Sequence, residues 1–113
     1  MATLIYTQED IDNGLILPDS DMGKQLGLTS DKFYDGSYLW YRKENNTLYL
    51  SMLMSRHEHQ GNVLAILQAA KSRCYNMEAC SVSIRMTQIL LRFGFRRDPV
   101  TGYMVFSQVV NKD

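Results

Sequence analysis

The sequence predicts one α/β domain, a mixed β-sheet of about five strands with helices on both faces. Three observations lead there. The chain has 113 residues, which suits a single domain that buries a core without disulfide or metal staples. Residues 37–55 alternate apolar and mixed positions around a short polar turn, as a β-hairpin does. Beyond residue 60, segments of helical apolar spacing alternate with short β-rich runs, which places crossover helices on a sheet.

Residues 3–6 read as a short strand. Thr7 then caps a helix, with Asp10 three residues on as its capping-box partner. Ile11 and Leu15 form the apolar edge of that helix, and Gly14 and Pro18 limit its length. Residues 19–36 are rich in Gly, Asp and Ser and hold one short helix around residues 22–26, capped by Ser20. In the hairpin, residues 37–43 form the first arm, Glu44-Asn45-Asn46 the turn and residues 47–55 the second arm. Leu48, Leu50, Met52 and Met54 share one face of the second arm, and the other face is only partly polar, which marks a central strand. Val63, Leu64, Leu67, Ala70 and Cys74 define a helix over residues 62–73. Residues 79–83 read as a strand. Met86, Ile89, Leu90 and Phe93 define a second amphipathic helix, with Gly94 at its C-terminal cap. Residues 98–102 form a turn and residues 103–110 a closing strand.

Lys and Arg number 12, as do Asp and Glu, so a polyanion-binding composition is excluded. The balance hides a division. Residues 1–35 carry seven acids against two lysines, whereas residues 36–113 carry ten Lys/Arg against five acids. A local anion site in the later part is therefore compatible with the neutral total. No signal-peptide pattern opens the chain, and no apolar run approaches the ~18 residues of a spanning helix. Cys74 and Cys80 are too few for a disulfide framework and their spacing is no zinc or redox motif. Free thiols in a reducing cytoplasm and no membrane contact are the expectation.

The junction at residues 55–63 joins a strand end, a polar Gly-containing turn and a helix start, a place where backbone N–H groups and the helix dipole favour an anion. With its neighbours on both sides, this junction resembles a known family. The hairpin, the turn Gln60-Gly-Asn-Val-Leu-Ala65, the helix, the strand and the helix ending in Gly94-Phe95 resemble the GCN5-related N-acetyltransferase (GNAT) superfamily. The resemblance covers residues 37–110, with residues 1–36 as an abbreviated N-terminal part of the same domain, which spans residues 1–113. It implies acetyl-CoA as cofactor, lying between the strand ending near Met54 and the one starting near Ala79. Family members hold the pyrophosphate on a Q/R-x-x-G-x-G/A loop. Gln60 and Ala65 match its ends, Gly61 a common extra glycine, and Asn62 and Leu64 lie within it. Val63 stands where the first motif glycine belongs. A second family pattern, N-x-x-A-x-x-h-Y-x-x-x-G-F, corresponds to residues 83–95. There Ser83 replaces the Asn and Leu90 the Tyr that usually protonates the departing thiolate. Arg92 on the same helix and Arg85, seven residues earlier on its face, could meet CoA phosphates, an acidic partner or nucleic acid, or form a solvated face.

His57-Glu58-His59 precedes the loop. Glu58, His57 or His59 could serve as the general base for an amine acceptor, the two His could pair on a metal, or the segment could be a solvated turn. A zinc site would need further ligands that the sequence does not supply, so no metal is expected. The first functional expectation is an acetyltransferase acting on an amine-bearing small molecule or protein. The second is a non-catalytic GNAT-like assembly domain, of a kind suited to a phage or mobile element. It follows from Val63, Leu90 and Ser83, and from the single hairpin before the loop, where the family usually has three consecutive strands. The missing strand would leave a sheet edge for a protein partner or a second copy. A third class, nucleic-acid binding by the basic part, lacks a recognised motif, so nucleic acid is not an expected partner.

Overall fold

The computed structural model describes residues 6–56, 61–80 and 83–107. They form one α/β unit around an open, mixed six-stranded sheet. The elements in chain order are α1 (Gln8–Asp12), β1 (Leu15–Ile16), α2 (Asp21–Leu26), β2 (Tyr38–Arg42), β3 (Thr47–Met52), α3 (Asn62–Ser72), β4 (Asn76–Ala79), α4 (Ile84–Phe93), β5 (Arg96–Arg97) and β6 (Met104–Phe106). The strand order is β1-β2-β3-β4-β6-β5. Only β3 and β4 pair in parallel; every other neighbouring pair is antiparallel. Among the described residues no helix is long and apolar enough to cross a membrane.

Local chemistry explains most boundaries. Thr7 and Asp10 form the expected capping box at α1, each side chain accepting the other's backbone N–H at 3.1 Å. Ser20 caps α2 by accepting from Gly23 N at 3.0 Å. Ser83 caps α4 by accepting from Met86 N at 3.1 Å. At the far end of α4, Gly94 is the C-cap, as expected: it adopts φ 124°, its N–H donates to Leu90 O and Leu91 O, and the Phe95 N–H also donates to Leu90 O. The Asp98 side chain accepts from Val100 N and Thr101 Oγ1 and holds the turn before β6.

The core lies on one face of the sheet. Ile16, Leu39, Leu48, Leu50, Met77, Ala79 and Met104 of the strands pack against Leu26, Ile66, Leu67, Ala70 and Leu90 of α2, α3 and α4. Parallel crossovers are right-handed, and β3-α3-β4 and β4-α4-β5 advance in the same direction, so both helices land on one side. The opposite face carries a row of partners, Leu15, Trp40, Tyr49, Glu78 and Val105, one from each of five strands. The short α1 has no buried residue and sits beside this face, where Asp10 borders a groove.

Four expectations are corrected. Leu15 is not on the first helix, which ends at Asp12; it pairs with Trp40 as the edge strand β1. Three consecutive antiparallel strands therefore precede α3, rather than one hairpin. The chain can turn there because Gly14 adopts φ 110°, and a Cβ on it would lie 2.0 Å from Tyr41 O. The strand after α3 is Asn76–Ala79, not residues 79–83. Cys74 takes a left-handed conformation (φ 61°) and Tyr75 N donates to Ala70 O, so the chain reverses at once. The last strand is short within the described residues, and β5 forms ahead of it. Finally, the alternation of β3 breaks. Trp40 pairs with Tyr49 but Tyr38 with Met52, so Leu50 and Ser51 together oppose Leu39 as a β-bulge. Leu50 stays in the core, whereas Met52 crosses to the outer face and is exposed. The expected strand over residues 3–6 falls largely outside the described residues.

Gly14→Ala should destabilise the domain by about 2 kcal/mol or more, since positive φ costs a residue with a Cβ about 1–2 kcal/mol and the methyl also meets a carbonyl. A fall in Tm of about 8 °C or more in thermal denaturation is the expected reading. Hydrogen bonds from the Ser30 side chain and its backbone N–H hold the Asp19 carboxyl below its ordinary value of 3.8. A lowered folded-state pKa stabilises above the unfolded value and is lost as pH falls through the folded value. Asp19→Asn should therefore lower the urea midpoint slightly near pH 6, and the difference should shrink steadily below pH 3.8.

Candidate functional site

The parallel strands β3 and β4 are bonded at Thr47–Asn76, Leu48–Met77 and Tyr49–Glu78. Their register goes no further. At Leu50 the bulge begins, β3 continues to Met52 and β4 ends at Ala79. The strands part at their C-terminal ends, where α3 and α4 begin. A cleft of about 1120 Å³ opens there, lined by Met54, Gly61, Asn62, Val63, Leu64, Ser83 and Arg92 among others. Open α/β sheets take ligands at this position, beyond the carboxyl ends of the strands.

Gly61 is the N-cap of α3 in a left-handed conformation, φ 73°, and no side chain caps this helix. A Cβ on Gly61 would meet nothing within 4 Å, so the glycine serves backbone direction rather than close packing. The N–H groups of Asn62, Val63 and Leu64 have no acceptor inside the helix, whereas Ala65 N donates to Gly61 O at 2.9 Å. Ala65 is therefore one position too far along to offer an open amide. Val63 adopts ordinary helical backbone and buries its side chain in the core, so its β-branch is accommodated without a left-handed φ. The start of α4 faces the same cleft through Ser83, Arg85 and Met86. Two helix N-termini and two guanidinium groups thus surround it, with no carboxylate among its described lining residues.

The side chain of Asn62 has a different task from the one expected. It is buried and donates to Lys32 O (3.3 Å) and Ser55 Oγ (3.0 Å). This brace ties α3 to a second strand-like contact, in which Phe33 bridges Ser55 and Tyr34 N donates to Met54 O at 2.8 Å. Arg56 completes it. Its backbone N–H donates to Lys32 O, its Nε to Ser30 O at 2.6 Å and to Phe33 O at 3.2 Å, and its guanidinium lies 4.7 Å from the Tyr34 ring centroid.

Sequence reasoning missed Tyr34, which lies on the cleft wall and is half exposed. Its segment shows no apolar periodicity; the adjacent aromatics Phe33 and Tyr34 beside Gly36 were the available signal. Leu53, Met86, Ile89 and Phe93 give the cleft its apolar wall. Leu90 is fully buried in the core, so position 90 turns away from the cleft between Ile89 and Phe93. His57, Glu58, His59 and Gln60 lie outside the described residues.

Asn62→Ala should cost about 1–2 kcal/mol by removing two buried hydrogen bonds, read as a lower urea midpoint with unchanged m-value. Comparison with protein-family models, with curated proteins and with solved structures gave no match.

Proposed function

We propose that the cleft binds an acyl-CoA and that the protein is an N-acetyltransferase-like member of the GNAT superfamily. The observation that carries this reading is the convergence of two helix N-termini and two arginines on one cleft, opened where a bulged β3 leaves its parallel partner β4. That arrangement suits a polyphosphate. The apolar wall of Leu53, Met86, Ile89 and Phe93 suits an extended, uncharged arm. A cleft of about 1120 Å³ has room for a ligand of coenzyme size.

In this reading the amides of Asn62, Val63 and Leu64 hold the pyrophosphate, and Arg85 and Arg92 face its remaining charge. Acetyl-CoA, when bound, supplies an acyl group activated as a thioester. Glu58, His57 or His59, just before the loop, takes the proton of the amine acceptor. Leu90 can donate no proton, and Tyr34 is the one phenol among the described lining residues, so Tyr34 is the donor available to a departing thiolate.

The burial of Leu90 also favours a second reading, acyl-CoA binding without transfer in an assembly domain. A single set of measurements separates the readings. Calorimetry should give micromolar acetyl-CoA binding that Arg92→Glu weakens at least tenfold. No detectable heat at millimolar ligand would sink both readings. Binding without thiol release across a panel of primary amines would leave the second.

A further inference from the structure

The methionines among the described residues divide by exposure. Met77 and Met104 are each 1% exposed in the core, and Met22 and Met86 are partly buried against it. Met52 and Met54 are open to solvent, at 46% and 37%. Of these two, Met54 alone lines the cleft. It also lines a groove of about 590 Å³ on the outer face of the sheet, so its thioether is reached from two sides.

The backbone of Met54 is pinned just beyond the β3 bulge. Its N–H donates to the buried Ser37 Oγ at 2.9 Å, and its carbonyl accepts the Tyr34 N–H at 2.8 Å. Gly36, with φ 95°, leaves the space in which the thioether methyl is seated; a Cβ there would lie 3.1 Å from Met54 Cε. Met54 is therefore a fixed part of the cleft wall, and a change in its chemistry changes the wall.

We propose that Met54 is a site of reversible oxidation, through which a hydroperoxide alters the cleft. A lone pair on Sδ attacks one peroxide oxygen. The S–O bond forms as the O–O bond breaks. The thioether is oxidised by two electrons to a sulfoxide, and hydrogen peroxide is reduced to water, which keeps both protons. A sulfoxide is polar and accepts hydrogen bonds where the thioether was apolar. Its oxygen joins a wall otherwise made by Leu53, Met86, Ile89 and Phe93. An uncharged ligand arm then displaces water from a polar group that it cannot pair. Enzymatic reduction of the sulfoxide restores the first state. That oxidation weakens acyl-CoA binding rests on the acyl-CoA reading; the oxidation site itself does not.

The exposed thiols Cys74 and Cys80 are first blocked with N-ethylmaleimide. The protein is then treated with dilute hydrogen peroxide, and each methionine is followed by peptide mass spectrometry. Met54 should gain one oxygen at least tenfold faster than Met77 and Met104. The two methionine sulfoxide reductases together, one for each sulfur epimer, should return it to thioether in the folded protein. Oxidation of Met54 no faster than that of Met77, or a sulfoxide reduced only after denaturation, overturns the proposal.

Calorimetry with acetyl-CoA, after catalase has removed the peroxide, reads the effect on the cleft. Met52→Leu leaves Met54 as the exposed methionine among the described residues. Its oxidised form should bind at least fivefold more weakly than its reduced form. The Met52→Leu, Met54→Leu double variant should change less than twofold on the same treatment. An equal loss in the double variant overturns the link between Met54 and the cleft. The peroxide reaction is run without CoA. Absence of acetyl-CoA binding therefore overturns the acyl-CoA reading, and failure of Met54 to oxidise overturns the oxidation site alone.

Discussion

A parallel pair of strands stays bonded only while both follow the same course, and β3 leaves that course at its bulge. One extra residue at Leu50–Ser51 bends it away from β4 after three paired positions. Much of the molecule follows from that extra residue. It lets Leu50 stay in the core while Met52 turns outward. It separates the strand ends that would otherwise be bonded shut, so that α3 and α4 begin beside an opening rather than over a closed sheet. It also leaves the backbone of residues 53–56 free to find other partners, and these are supplied by residues 30–34.

That replacement pairing is the reason the irregular segment between α2 and β2 is ordered. It has no periodic apolar face of its own. Phe33 is nonetheless fully buried, Tyr34 and Arg56 take carbonyls of the facing segments, and Asn62 locks the assembly to the first turn of α3. The wall of the cleft is thus made from a loop, yet a loop fixed by buried hydrogen bonds, which is what a binding surface requires to keep its shape.

Sequence reasoning located elements whose signals are local. The caps at Thr7 and Ser20, the hairpin turn and both longer helices are visible as side-chain chemistry over a few residues, whereas the Ser83 cap lay inside a stretch read as strand. Gly61, Asn62, Val63 and Leu64 of the cleft were legible for the same reason, because a strand-turn-helix junction can be recognised from Gly61 and the apolar spacing that follows. What escaped depends on contacts distant in sequence. β1 is two residues long and exists only because β2 lies beside it. The bulge has no composition mark, since Leu50-Ser51-Met52 alternates as well as any strand. Tyr34 and the Asn62 brace join residues 20 to 30 apart. β4 was displaced because Cys74, a residue with no turn preference, takes the left-handed conformation in place of a glycine.

The one-sided core has a further consequence. Substitutions at Ile16, Leu39, Leu48 or Met77 disturb a fully packed interior, whereas Tyr38, Trp40, Tyr49 and Glu78 each keep part of their surface in solvent. The two faces are therefore unequal in their freedom to vary. Chemistry on the helix-covered side is bound up with the packed interior, and chemistry on the open side keeps one edge in water.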